Sequence, residues 1–494
     1  MSFLDQLIEG ATALGLAKRR EIDGRPHASK HVTWPPTFDK YRNGFNLGEF
    51  YALLYPDRTK IVGTRTPEQI IDSVSTCRSA PGTTVYIDID LGNDTTGNGT
   101  LAAPYQSWSK AWTVINAAGL PAKLYVKGRT PSSVTHYNRT LGPAGASGTA
   151  GPTVDVAVMA FGNDVICTVT DGTFTTTDDG SGTNTYTCDQ SIANVQQAVW
   201  RLGAPDAQNN LPRLQRLTTV SRVRQTPGSY CLISNVLTIH MHDGSQPTTT
   251  NLWVMREIPN FLCTSNVNIY FGSEDGSLFR FYGGGGTAVS FGSGAIDIAP
   301  ATLGAQKHLV VATNVEMRYS FRGWGVESFH GLVLSYNDDV GGLATDYANC
   351  HNQRFSNAAV CGLICINPTG AGLGLFASGF ASCNMGTAHE LNSGVALIGG
   401  AVRLSAGGMV RSIGASDTFG AFTVLDTDLG DRWLGASVIP TLFGMYESAV
   451  GYMQGLRFRG PNSQYATWVD PGAQLYGKDM EPHEMRVKGT VTAW

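Results

Sequence analysis

VNIYFG (Val267–Gly272), GAIDIA (Gly294–Ala299), HLVVATNVEM (His308–Met317), HGLVLSYN (His330–Asn337), VCGLICIN (Val360–Asn367), GLGLFA (Gly372–Ala377) and GVALIGG (Gly394–Gly400) follow one another along residues 266–405. Gly, Asn and Ser turns separate them, with almost no charged helical face between. Helices of ten or more residues need apolar positions three and four apart and avoid Gly, whereas strands need short runs of Val, Ile, Leu and aromatics bounded by turn residues. The strand template fits each run. Many short strands without crossover helices exclude a doubly wound sheet and leave a sandwich, a propeller or a β-solenoid. Small residues beside the strands, among them Ala358, Cys361, Gly362, Cys365, Ala381, Ser382 and Cys383, suit the stacked interior of a parallel β-helix, where successive coils bury like against like. The expected fold is all-β, a parallel β-helix, and an irregular sandwich is the alternative the pattern allows. Apolar centres near Val315, Leu332, Ala348, Leu363, Ala381 and Ala396 put the expected repeat at roughly 15 to 18 residues.

The chain has 494 residues, more than one ordinary compact core accommodates, so several domains or one elongated solenoid is expected. Charged residues make up 15%, against an average of about 25%, and Gly numbers 59. That balance describes a turn-rich, folded β protein. A net charge of -4 and the lack of a long Lys/Arg block argue against a nucleic-acid partner. The longest apolar run, Gly394–Val402, is too short for a membrane span, so no membrane insertion is expected. In MSFLDQLIEGATALGLAKRR the basic cluster follows the apolar part, the reverse of a secretory signal, and cytoplasmic synthesis is expected. Nine scattered cysteines without a CxxC read as free buried thiols.

Phe3, Leu4, Leu7, Ile8, Ala11 and Leu14 share one helical face. Such a helix either packs on its own domain or docks on a partner. Thr66-Pro67-Glu68-Gln69 reads as a capped helix start running to about Val74. Residues 1–80 are therefore set apart as an adaptor. Next, Thr84–Leu91 alternates as a half-buried strand, followed by GNDTTGNGTLAAPYQSWSKAWTVINAA. Its Gly92, Asn93, Asp94, Gly97, Gly99, Pro104, Tyr105, Ser107 and Ala111 resemble the opening segment of right-handed parallel β-helix proteins, in which a strand and a small helix cap the first coil. Residues 81–130 are assigned to that cap. Asp90, Asn93 and Asp94 offer oxygen ligands for calcium, with turn formation as the simpler reading.

Residues 131–255 are expected to be a hairpin-rich insertion, with turn signals at Asp171-Gly172 and Asp179-Gly180. The order Pro227-Gly228-Ser229-Tyr230, Leu237-Thr238-Ile239, Asp243-Gly244, Pro247 is similar to a hairpin insertion of bacterial and phage β-helix proteins. Here Tyr230-Cys231 stands where those proteins usually carry an aromatic pair. Leu237, Ile239 and Met241 are expected to face the core and Thr238, His240 and His242 the solvent, which leaves His240-x-His242-Asp243 a weak metal motif. No metal or other cofactor is expected.

Residues 256–415 are the expected β-helix core, where neighbouring coils lie about 4.8 Å apart. Carboxylates on adjacent coils then stand near ~5 Å and those two coils apart near ~10 Å, beside the separations of retaining and inverting glycosidases. Acids in the core are few. Glu327, Asp338, Asp339 and Asp346 are the candidate catalytic groups, one held protonated by a crowded neighbour and another acting as base or nucleophile. Trp324, Tyr336 and Tyr347 offer flat faces to sugar rings, and His330, Arg322 and Arg354 offer charge to acidic groups on a glycan. The simpler alternative is a solvated Asn-Asp-Asp turn with Trp324 packed at a corner. Asp426, Asp428 and Asp431 before Trp433 form a second acidic cluster.

From 416 to 494 aromatics, Pro and Met rise, and a C-terminal β cap or trimerisation region is expected to cover the open end of the solenoid. The succession of adaptor, capped β-helix with hairpin insertion, and terminal cap resembles the receptor-binding spikes of tailed phages and of phage-like particles such as gene transfer agents, whether tailspike, tail fibre or head spike. The resemblance implies a homotrimer on the virion surface, joined to other particle proteins through its N-terminus. It also implies binding to host capsular polysaccharide or lipopolysaccharide, with or without cleavage. A purely structural particle protein and a free polysaccharide lyase or hydrolase are the alternatives.

Overall fold

The computed structural model describes residues 66–128, 151–168, 175–188, 214–249, 267–282 and 309–316 closely, shorter pieces between them, and beyond 294 chiefly the strands, by backbone course and pairing. Strands dominate the described residues. Three sheets of twelve, eight and nine strands hold most of them, and neighbours within each sheet are parallel. From Ile269 the chain visits the sheets in turn: Ile269–Ser273 in the first, Phe279–Tyr282 in the second, Gly294–Ile298 in the third, then His308–Thr313 in the first again. Each strand therefore pairs with the one three places ahead, an order that continues through Gly420–Leu425 to Gln474–Lys478. The residues expected as a cap from 416 onward supply strands to these same sheets.

Register fixes the repeat. Thr313, Tyr336, Ile366, Ile398, Leu425 and Gln454 lie side by side on successive first-sheet strands. One round thus takes 23 to 32 residues, not the 15 to 18 expected. The shorter spacing arose because two strands per round are apolar. Leu332, Leu363 and Ala396 belong to the first sheet, and Ala381 belongs to the third. Ala348 lies outside the described residues.

The corner from first to second sheet keeps one length. Strands ending at Thr313, Tyr336, Ile366, Ile398, Leu425 and Gln454 are followed three residues later by strands beginning at Glu316, Asp339, Thr369, Ala401, Asp428 and Arg457. Asn314 takes φ 55°, the left-handed region. Residues at the matching sequence position are Asn337, Asn367, Gly399, Asp426 and Gly455, the types that enter this region most readily.

All three sheets line one core. Phe271 of the first meets Phe279 and Phe281 of the second at 5.9 and 5.7 Å and Phe261 of the third at 5.2 Å. Each ring is at most 1% exposed, and burial of one contributes about 1.5–3 kcal/mol. Helix α1 (Pro67–Asp72) ends two residues before the expected Val74. Thr66 caps it by accepting from the Gln69 N–H, and the Gln69 side chain accepts from the Thr66 N–H. Helix α2 (Trp108–Ala118) packs against Thr83–Asp88 and extends the core, with Trp112 against Phe261.

The insertion is narrower than expected. Val156–Ala160 and Val165–Thr168 belong to the first and second sheets, and antiparallel pairing begins at Thr176–Asp178. A five-stranded sheet and the pair Val195–Trp200 with Leu252–Arg256 share a core of Tyr230, Leu237, Ile239, Met241 and Val254. The Ser229–Ile233 and Val236–His240 hairpin turns at Ser234-Asn235, both at positive φ. Thr238 and His240 are buried at 3% and 7%, contrary to expectation. Helix α3 (Val220–Gln225) packs over that strand, and the Val223 carbonyl lies 3.0 Å from His240 Nδ1. Among the described cysteines, Cys77, Cys167, Cys188, Cys231 and Cys263 are buried.

Candidate functional site

Second-sheet strands are mostly three residues long, and from Glu316 onward their registers align first residues with first residues, Arg280 standing second on Phe279–Tyr282. That column reads Arg280, Glu316, Asp339, Thr369, Ala401, Asp428, Arg457. The next column reads Phe281, Met317, Val340, Gly370, Val402, Leu429, Phe458. Successive residues of a strand alternate faces, so with Phe279 and Phe281 in the core, Arg280 between them takes the other face.

The start of the charged column is a three-group ion cluster. Arg280 donates through Nε and Nη2 to Asp164 Oδ2 at 3.0 and 2.8 Å, and through Nη1 to Glu316 Oε2 at 2.7 Å. Glu316 is 3% exposed. One guanidinium fork thus holds two carboxylates in fixed geometry. Asp339 is the register partner of Glu316 on the following strand, about 4.8 Å away along the sheet.

Glu327 belongs to another sheet. It lies on Trp324–Ser328 of the third, between Asp297 and His351 on the flanking strands. This makes a second pair of acids one strand apart, followed by an imidazole. Trp324 opens the same strand opposite Gly294, and Tyr336 ends its first-sheet strand three residues before Asp339. Asp338, Asp346, Tyr347, His330, Arg322 and Arg354 lie outside the described residues, as do Asp426, Asp431 and Trp433. Asp428 shares the column of Asp339 three strands on.

Sequence reading missed Arg280, Glu316, Asp297 and His351. None sits in an acidic cluster. The available signal was the fixed corner: counting three residues past each first-sheet strand leads from Asp339 back to Glu316.

Of the turn residues considered for calcium, Asn93 and Asp94 have a side-chain oxygen engaged by backbone N–H groups. Asn93 Oδ1 accepts from Thr95 and Thr96 N–H at 2.8 and 2.9 Å, and Asp94 Oδ1 from Gln106 and Ser107 N–H at 2.9 and 3.0 Å. Partial burial works to raise the Asp94 pKa, and the bonds from Ser107 and Gln106 outweigh it and leave the carboxyl below its ordinary value. These carboxylate and amide oxygens shape the turn.

No family model matches the chain, and no curated protein matches it. Among solved structures, one described as a glycoside hydrolase aligns at 9% identity and TM-score 0.42, covering 83% of this chain and 95% of that one. Native GH136 lacto-N-biosidase from Eubacterium ramulus aligns at 9% identity and TM-score 0.31, over 81% of this chain and 56% of its own. Likenesses at these scores carry no assignment of activity.

Proposed function

We propose that this chain is a surface spike of a phage or phage-like particle. In this reading the three sheets wind as a right-handed parallel β-helix, and its flank holds host capsular polysaccharide or lipopolysaccharide. The observation that supports a glycan site is the register: acids stand one strand apart in two sheets, Glu316 with Asp339 and Asp297 with Glu327. The column that begins Arg280, Glu316, Asp339 sets charged residues at the regular spacing of parallel strands, a direction along which a polymer of sugars can lie. The spike assignment, the homotrimer and the particle attachment rest on the sequence resemblance.

Cleavage and holding use the same kinds of residue, and the two pairs separate them. Purified full-length protein is incubated with surface polysaccharides of candidate hosts, and chain length is scored beside Asp339→Asn and Glu327→Gln. Shortening lost in one variant that still binds identifies the catalytic sheet. Binding without shortening makes the chain an adhesin. Absence of both, for every polysaccharide tried, replaces this reading with a structural particle protein.

A further inference from the structure

Residues 66–82 cross the start of the first sheet without adding a strand to it. Helix α1 packs against His308–Thr313, and the Tyr270 hydroxyl, on Ile269–Ser273, donates to Glu68 at 2.8 Å. Burial pushes the Cys77 thiol up to about 11, with a further push from the charge of Asp155, the residue ahead of Val156–Ala160. The Gly82 N–H donates to the Pro121 carbonyl at 2.8 Å, just ahead of Ala122–Lys127, and Thr83 then opens the first strand. The chain thus passes the strands in their spatial order, from His308–Thr313 back to Thr83–Asp88.

The sheet is apolar where this segment lies on it. Phe271, Val158, Leu124 and Val85 are register neighbours on the core side, so Tyr270 and Tyr125, one residue away, take the outer side. Away from α1 that side is polar and half-buried, with Lys123 Nζ and Tyr125 Oη meeting Glu274 at 3.0 and 2.8 Å. Under α1, Tyr270 is 1% exposed and its register neighbour Val311 is fully buried. Ile70, Ile71 and Cys77 of the crossing segment are buried as completely.

The segment is fastened mainly to itself. Besides the Thr66–Gln69 capping box, the Ser73 hydroxyl donates to the Ile70 carbonyl at 2.7 Å, Arg78 Nε to Asp72 Oδ1 at 3.1 Å and the Ala80 N–H to the Thr76 carbonyl at 2.9 Å. Its hold on the sheet is the Glu68–Tyr270 bond and apolar contact. Six residues are well below the ~12–15 an isolated helix needs in water, so α1 keeps its turns by being docked. The strands beneath it are hydrogen-bonded on both flanks. Units held by few bonds open at a lower free energy than the whole fold.

We propose that residues 66–82 form a detachable strap, which lifts from the first sheet about Pro81-Gly82 while the sheets stay folded, baring Tyr270 and Val311 on the outer face. Residues 1–65 join the body through this strap, so tension on them reaches α1 first.

The test is labelling of thiols in the native full-length protein with a small maleimide, mapped by peptide mass spectrometry. Cys77 is expected to react at a rate that depends little on urea below the unfolding transition, whereas Cys167, buried on Val165–Thr168 of the second sheet, reacts only through unfolding of the body and with steep urea dependence. Thr66→Ala, which removes the cap, is expected to speed Cys77 labelling about fivefold. Phe281→Leu weakens the core between the sheets and is expected to speed Cys167 labelling about tenfold while leaving Cys77 at the wild-type rate. Cys77 labelling that accelerates in Phe281→Leu, or that shares the urea dependence of Cys167, shows strap and sheets opening together and overturns the proposal. Cys77 labelling unchanged by Thr66→Ala overturns it as well, since the thiol is then reached without lifting α1.

Discussion

Asp275 ties two corners together. Its Oδ2 accepts from the Gly162 N–H at 2.6 Å, and its Oδ1 from the Ser277 N–H at 2.9 Å and the Ser273 hydroxyl at 3.1 Å. Partial burial works to raise its pKa, and these bonds outweigh it and hold the carboxyl at about 2. A folded value below the unfolded one of about 3.9 contributes stability above that pH and loses it as pH falls toward 2. Asp275→Asn should therefore lower the urea midpoint at pH 5, and the difference from wild type should vanish by about pH 2; an equal difference at both would refute the assignment. Arg280 makes a comparison of magnitudes. Glu316→Gln removes a charge but keeps an acceptor, at about 1–3 kcal/mol, whereas Arg280→Met strips the guanidinium from a buried carboxylate, at roughly 3–5 kcal/mol. Thermal melts should rank Arg280→Met as the more damaging, and the reverse order would show that Glu316 relies on other partners. The ion cluster was not legible in the sequence, because Arg280 stands 116 residues from Asp164 and 36 from Glu316.

At the scale of elements, what could be read was what is local. The Thr66 capping box, the α2 start at Ser107 and the hairpin after Gly228 each place their signals within a few residues of the structure they specify. His240 was misplaced because alternation names two faces of a strand without saying that both are covered, here by the insertion core and by α3. The Asn314 corner fell inside the run His308–Met317 read as a single strand-type stretch, and its recurrence went unseen because rounds vary in length elsewhere. Its φ of 55° predicts that Asn314→Gly changes stability little, while Asn314→Val costs about 1–2 kcal/mol. Equal midpoints for the two variants in chemical denaturation would show that the corner relaxes out of the left-handed region.

Over the whole molecule, the all-β character followed from strand-length apolar runs, and parallel pairing followed from small residues stacking beside them. The period did not, since first- and third-sheet strands look alike in sequence and only pairing tells them apart. The candidate site was legible in part for the same reason. Asp339 and Glu327 could be named as scarce acids, but register assigns them to different sheets and gives each its own acidic neighbour. The proposed role is tested most directly by titrating the full-length protein with purified host capsular polysaccharide or lipopolysaccharide, with wild type and Asp339→Asn in parallel. Saturable binding by the wild type, weakened about tenfold or more in the variant (a change of about 1.4 kcal/mol), is the expected result. Equal binding by both would remove the second-sheet column from the site, and no binding by the wild type to any candidate polysaccharide would contradict a glycan-holding flank altogether.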